Sequence, residues 1–208
     1  MDEEEARAWL DVPRGTMERL HGFVALLKEE NKRQNLVSEA SLTHIWSRHI
    51  IDSAQLLRFA PAKAATWLDL GAGAGFPGLI AALLHCSKMT LVESRRLRAD
   101  FLRRAAEVLG VAEKTEIICA RAETMAPRGF EVISARALAP LDRLLAAGER
   151  FSTPGTIWIL PKGRTAKSEL DAARASWQGD FRLEPSVTDA DARIVVASQV
   201  RRIAKGKR

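Results

Sequence analysis

Trp67-Leu68-Asp69-Leu70-Gly71-Ala72-Gly73-Ala74-Gly75-Phe76-Pro77-Gly78 reads as an apolar strand that enters a run of alternating glycines, and Leu79-Ile80-Ala81-Ala82-Leu83-Leu84 continues it as a helix. Without a Cβ, a glycine takes positive φ freely and lets a ligand lie against bare backbone. Pro77 suits a first helical turn, where its missing N–H costs nothing. The helix start offers unpaired N–H groups and the positive end of the peptide dipole. Strand, glycine turn and helix in this order predict the opening of a βαβ unit.

Two ligand classes can use such a turn. Gly73-x-Gly75-x-x-Gly78 fits the dinucleotide fingerprint, which leaves NAD or FAD open on glycines alone. The longer pattern is Asp69-x-Gly71-x-Gly73-x-Gly75, which resembles motif I of the S-adenosylmethionine (SAM) methyltransferases. That resemblance implies a turn packed against a zwitterionic amino acid and a ribose. Asp69 would then accept from the ligand's ammonium group, directly or through water. The same carboxylate would repel a pyrophosphate.

Outward from the turn, a chain of 208 residues has room for an α/β domain and an appendage. Asp2-Glu3-Glu4-Glu5 carries the wrong charge for a signal peptide, and no apolar run approaches a membrane span, so a cytoplasmic protein without membrane contact is expected. Cys86 and Cys119 show neither CxxC nor metal spacing, which predicts reduced thiols and no metal site. A net charge of +6 favours phosphate-rich partners without naming one. Arg95, Arg96, Arg98, Arg103 and Arg104 crowd one helix, and Arg201, Arg202, Lys205, Lys207 and Arg208 crowd the end of the chain. Solvated surface and RNA contact are both open for these clusters. A monomer is the default.

Residues 1–60 read as helical. Met17, Leu20, Val24 and Leu27 form one stripe, the helix gives way around Asn31 to Leu36, and Ser38 suits the next N-cap. Leu42, Ile45, Trp46, Ile50, Ala54 and Leu57 form a second stripe. His49, Asp52 and Ser53 share a helix side. With no nucleophile beside them, they are expected to tie the helical cap to the next domain by hydrogen bonds. Residues 61–65 link to that domain, 61–208. Strands are predicted at 65–70, 89–93, 115–119, 131–135 and 156–160, with helices at 76–85, 94–109, 140–151 and 166–177. A closing hairpin is expected near 181–187 and 193–200. The alternation predicts an α/β fold with a mostly parallel sheet and an antiparallel final strand.

Ligands of such sheets lie outside the carboxyl ends of the strands. Glu93 closes the second strand, where a carboxylate can accept from both ribose hydroxyls of SAM or NAD; Ser94 suits the following N-cap. Cys119-Ala120-Arg121-Ala122-Glu123 follows the third strand, and Ala122 and Glu123 fit a position that borders the adenine in SAM sites. The fourth strand ends in Ile133-Ser134-Ala135-Arg136-Ala137. Enzymes that methylate exocyclic amines commonly carry Asn/Asp-Pro-Pro-aromatic there, which is missing, as is any tyrosine. C5-pyrimidine enzymes need a cysteine near this edge, and neither cysteine lies in the right segment. Arg136, with Lys162 in Pro161-Lys162-Gly163, suits a phosphate or a nucleobase acceptor. Guanine N7 fits because its lone pair needs no general base, so alignment and electrostatics carry the rate. An attacking N7 must be free of any arginine bond, so Arg136 is expected to orient SAM, O6 or a phosphate.

Asn31-x-x-x-Asn35-Leu36, Arg48-His49-x-x-Asp52-Ser53, Asp69 through Gly78, Ser134-Ala135-Arg136-Ala137 and Lys162-Gly163 together resemble the RsmG (GidB) family of bacterial 16S rRNA guanine-N7 methyltransferases. The resemblance implies a Rossmann-like SAM-dependent methyltransferase fold with an N-terminal helical cap. It also implies S-adenosyl-L-methionine as cofactor, S-adenosyl-L-homocysteine (SAH) as product, and a guanine in the decoding region of the small ribosomal subunit, or of its assembly intermediate, as substrate. By position, Gly71, Phe76, Ala122, Glu123 and Arg136 correspond to SAM contacts and Glu93 to the ribose carboxylate. Arg121, Arg136 and Lys162 correspond to basic residues near the transfer site. From the residues alone, an NAD-dependent oxidoreductase and a non-catalytic ribosome-associated RNA-binding factor stay as alternatives.

Overall fold

A computed structural model describes residues 1–85 and 87–204 of the chain. It opens with α1 (Glu3–Trp9) and α2 (Arg14–Gln34), then α3 (Glu39–Leu42), a π-helical turn at Trp46–Ile51, α4 (Asp52–Ala54) and a 3-10 turn at Gln55–Phe59. Leu20, Phe23, Val24, Leu27, Glu30 and Asn31 form the buried side of α2, the stripe that its helical spacing dictates. Asn35 ends the helix at φ 45°. The Asn31 side chain holds the turn beyond: its Oδ1 accepts from Val37 N–H at 2.9 Å and its amide donates to Glu39. Ser38 caps α3 by accepting from Ser41 N–H.

Strand β1 (Thr66–Leu70) is followed by α5 (Gly78–Leu84), β2 (Lys88–Glu93), α6 (Arg96–Val108), β3 (Thr115–Cys119) and β4 (Val132–Ser134). Then come α7 (Leu141–Gly148), β5 (Ile157–Lys162), α8 (Ala166–Ala173), β6 (Trp177–Pro185) and β7 (Arg193–Arg202). Among the described residues these strands form one sheet, in the order β3-β2-β1-β4-β5-β7-β6. β1 to β5 pair in parallel, and β7 lies antiparallel between β5 and β6, as the closing hairpin implied. β1 has β2 on one side and β4 on the other, so the strand order reverses there and a crevice opens at the carboxyl edge.

Alternation along β1 splits the core in two. Trp67 joins the cluster under α2, α5 and α6, with Phe23, Phe76, Phe101 and Leu91. Leu68 and Leu70 join the cluster under α7 and α8, with Trp158, Phe151 and Trp177. Three expected boundaries shift. Pro77 stands at the cap of α5 rather than inside it. Ser94 is not a cap: Arg95 is the N-cap residue of α6, and Glu93 accepts from its N–H at 2.8 Å. Trp177 begins β6 instead of ending a helix, because its indole N–H donates to Asp142 at 2.8 Å and its ring fills the second core.

The arginines of α6 are not a bare cationic face. Arg103 pairs with Asp100, Arg104 with the largely buried Glu30 at 2.7 Å, and Arg98 reaches the Asn35 carbonyl. Of the C-terminal cluster, Arg202 pairs with Glu149 and lies over Trp177, while Lys205, Lys207 and Arg208 lie outside the described residues, as does Cys86. Cys119 is a free, exposed thiol.

Candidate functional site

The turn after β1 takes positive φ at Gly71 (69°), Gly73 (54°) and Gly75 (91°). Gly71 and Ala72 N–H donate to the Val92 carbonyl, which locks the turn against the end of β2. Gly78 is needed for room: a Cβ there would stand 2.7 Å from Asp69 Oδ2.

Asp69 does not face the crevice. It is fully buried, its Oδ2 accepts from Gly78 N–H at 3.0 Å and its Oδ1 from the Ser134 hydroxyl at 2.8 Å. Ser134 in turn accepts from the Trp67 indole at 2.9 Å. The carboxylate expected on a ligand ammonium therefore sits beneath the turn as its brace. Burial pushes its pKa up to about 7, against the opposing bonds from Ser134 and Gly78. Glu93 is used similarly: Oε2 accepts from Gly73 N–H at 3.0 Å and Oε1 from Arg95 N–H.

This wiring has a chemical consequence. A dinucleotide site keeps turn and helix-start N–H groups free for a pyrophosphate. Here Gly73 N–H is held by Glu93, Gly78 N–H by Asp69 and Leu79 N–H by the Gly75 carbonyl. Two carboxylates occupy the places where an anion would bind. The turn suits a cationic or neutral ligand edge laid on bare backbone.

Beyond β3, Ala120 N–H donates to the Glu93 carbonyl, which holds this loop beside β2. Ala122 and Glu123 lie in a short 3-10 turn, and the Glu123 carbonyl accepts from Arg150. Arg121 is exposed there. Because β3 lies three strands from β4, roughly 14 Å at the usual strand spacing, Arg121 stands apart from Arg136 and Lys162.

Arg136 and Lys162 share a cleft of about 440 Å³ at the ends of β4 and β5, walled also by Arg48, Asp52, Asp189 and Arg193. Neither cation is bare. Lys162 pairs with Glu169 at 2.9 Å and donates to the Ala139 carbonyl. Arg136 donates to the Arg48 carbonyl at 3.1 Å and to His49 Nδ1 at 2.7 Å, and stands 3.6 Å from Asp52. Its guanidinium lies 5.1 Å from the centre of the Phe76 ring. Burial pulls Arg136 below the usual arginine range, while Asp52 and Asp69 oppose that shift. Leu138 reaches over Gly71, so the β4 loop touches both the glycine turn and the cleft.

Asp52 joins the cleft's two walls. Its Oδ1 accepts from Gln55 at 2.9 Å and from Thr188 at 3.0 Å, and Gln55 also bonds Ser186 and Val187 of the β6–β7 loop. Ser53 donates to the His49 carbonyl at 2.6 Å. Of the expected trio, His49 and Asp52 tie the N-terminal helices to the sheet, while Ser53 bonds only within its own helical stretch. Arg48, Gln55, Thr188 and Arg193 were not singled out as site residues from sequence; only Arg48 carried a signal, as the first residue of that motif.

A family model described as rRNA small subunit methyltransferase G matches residues 16–194. The chain belongs to this family. A ribosomal RNA small subunit methyltransferase G from Rhizorhabdus wittichii is 52% identical, over 100% of this chain and 98% of its own. One from Zymomonas mobilis subsp. mobilis is 47% identical, over 96% and 95%. Among solved structures, the O-methyltransferase from Bacillus cereus in complex with SAH matches at a TM-score of 0.62 and 15% identity, over 94% of this chain and 96% of that one. The mitomycin 7-O-methyltransferase MmcR matches at 0.65 and 19%, over 87% and 60%. This chain has the Rossmann-like fold of SAM methyltransferases, with β7 antiparallel to its neighbours.

Proposed function

We propose that this chain transfers the methyl group of SAM to N7 of a guanine in 16S rRNA and releases SAH. Membership of the family and a glycine turn whose Gly73 and Gly78 N–H groups are bonded to carboxylates support SAM over NAD. The carrying observation is the adjacency of that turn to the Arg136–Lys162 cleft, with Leu138 between them.

SAM, when bound, supplies a methyl on a positively charged sulfur. Gly71, Gly73 and Gly75 give it a backbone surface, Glu93 the ribose acceptor, and Ala122 with Glu123 the adenine border. Asp69 holds this cradle from below. On the acceptor side, the two strand-end cations have counter-ions, Arg136 with Asp52 and Lys162 with Glu169. Methyl transfer moves the sulfonium's positive charge onto the purine, and these two neutralised pairs oppose it less than bare cations would. Arg136 and Lys162 then orient the base through N–H donors, and no residue has to remove a proton from N7. Arg48 and Arg193, on the cleft's rim, suit the flanking phosphates. Residues 1–60 act as a helical cap on the SAM-binding unit 61–208, and no helix of the described residues is long and apolar enough to cross a membrane. A cytoplasmic monomer acting on the small subunit or its assembly intermediate fits this reading.

The deciding experiment follows labelled methyl from SAM into naked 16S rRNA, 30S precursors and finished subunits, then maps the modified atom. N7-methylguanine at one position is expected. Label at another atom overturns the guanine-N7 assignment, and no label in any substrate leaves a pure binder.

A further inference from the structure

Arg136 is aimed by the N-terminal helices, and one of its partners carries an anomaly. His49 lies in the π-helical turn, 8% exposed, with its ring stacked on Phe76 at 4.9 Å between centres and 29° between planes. Its Nδ1 is 2.7 Å from an Arg136 terminal nitrogen. A guanidinium only donates, so Nδ1 must accept and the ring hydrogen must sit on Nε2. That Nε2 is buried and has no hydrogen-bond partner among the described residues. A phenyl ring would fill the same space on Phe76 without the stranded Nε2–H, but it would take away the acceptor that Arg136 uses, so the histidine is explained by that one bond.

We propose that His49 is a positioning residue for methyl transfer: as a neutral acceptor at Nδ1 it fixes the direction in which Arg136 presents its remaining N–H donors to the cleft. The proposal deepens the reading above and rests on it. The Arg48 carbonyl takes a second Arg136 donor and Asp52 stands at 3.6 Å, so three contacts come from one helical stretch. Phe76 supports both groups, His49 by stacking and Arg136 from its guanidinium. Nothing in this arrangement lets the imidazole act as a base. Burial, then the neighbouring Arg136 and Arg48, pulls its pKa down to about 3, so it is neutral near pH 7.

Two substitutions separate acceptor from ring. His49→Phe keeps the stack and removes the acceptor. His49→Asn loses the stack but returns an amide oxygen near the place of Nδ1. The expected result is a His49→Phe protein that is fully folded at the assay temperature, with kcat for transfer to small-subunit rRNA about ten-fold lower. Its Kd for SAM and KM for RNA stay within about two-fold. His49→Asn recovers most of the lost kcat, though it melts lower. Wild-type kcat in His49→Phe overturns the proposal, and so does a His49→Asn protein as slow as His49→Phe. Nitrogen-15 NMR of the wild type decides the matter independently of any variant: Nδ1 must be unprotonated from pH 5 to pH 8, and a protonated Nδ1 is fatal. If the wild type itself methylates no rRNA, the assigned activity fails, while the tautomer measurement still tests His49.

Discussion

Two buried titratable residues near the site pull stability in opposite directions with pH. Asp69 has a folded pKa of about 7 against an ordinary 3.8, so its proton is held more tightly folded than unfolded. Its contribution is fully present below 3.8 and is lost as pH rises through 7. The stability of wild type minus that of Asp69→Asn is expected to fall by about 2–3 kcal/mol from pH 5 to pH 8, read by urea unfolding; a pH-independent difference refutes the burial assigned to this carboxyl. His49 runs the other way, with a folded pKa of about 3 against 6.5 and Arg136, Arg48 and Asp52 around it. Its contribution is present above 6.5 and lost as pH falls toward 3. The stability of wild type minus that of His49→Phe should therefore fall from pH 7 to pH 4, and a difference that rises toward acid contradicts the sign. Neither environment was legible in the sequence. An acidic residue ahead of glycines signals a ligand turn, but Asp69 finds its partners nine and 65 positions away, and Arg136 meets His49 across 87.

Elements were more legible than their ends. β3 occupies the expected span, and β1, β2 and β5 fall within a residue or two of it, because apolar runs bounded by turn residues mark strands by local chemistry. Trp177 misled because the residues before it keep helical spacing, while the decision to start β6 comes from Asp142 and the second core. The glycine turn tests how much geometry an element tolerates. Gly78 has no positive φ, so alanine there probes space alone. Helix propensity favours Gly78→Ala by about 1 kcal/mol, but its Cβ would meet Asp69 Oδ2 at 2.7 Å and Leu91 at 3.0 Å. In a core this close-packed, such intrusion costs roughly 1–3 kcal/mol, and it pushes Asp69 off its bond. Gly78→Ala is expected to melt lower and to bind SAM more weakly by calorimetry. Gly15→Ala is the control: nothing lies within 4 Å of its new Cβ, so the variant should match or exceed wild-type stability. Equal behaviour of the two would mean that the turn has slack the geometry denies.

At the scale of the molecule, periodicity in residues 1–60 showed that helix faces are buried but not against what. The answer is a core held in common. Phe23 of α2 is fully buried, 5.5 Å from Phe76 at the glycine turn and 6.4 Å from Phe101 of α6, ring centre to ring centre. Glu30 and Arg104 close the same seam at 2.7 Å, and hydrogen bonds from Arg104 and Gln34 hold Glu30 below the usual carboxylate range. A cap with its own core would unfold by itself and leave the glycine turn intact. One that shares its core must unfold with the sheet. Phe23→Ala removes the ring that both sides touch and should cost about 3–5 kcal/mol, seen as one transition moved to lower urea, coincident by tryptophan fluorescence and far-ultraviolet circular dichroism. Phe76 loses its backing in the same variant, and with it the stack under His49 and Arg136. Methyl transfer should therefore fall under conditions where the variant is still fully folded. Separate transitions for helices and sheet, or full activity in the folded variant, would mean that the N-terminal helices sit beside the site without organising it.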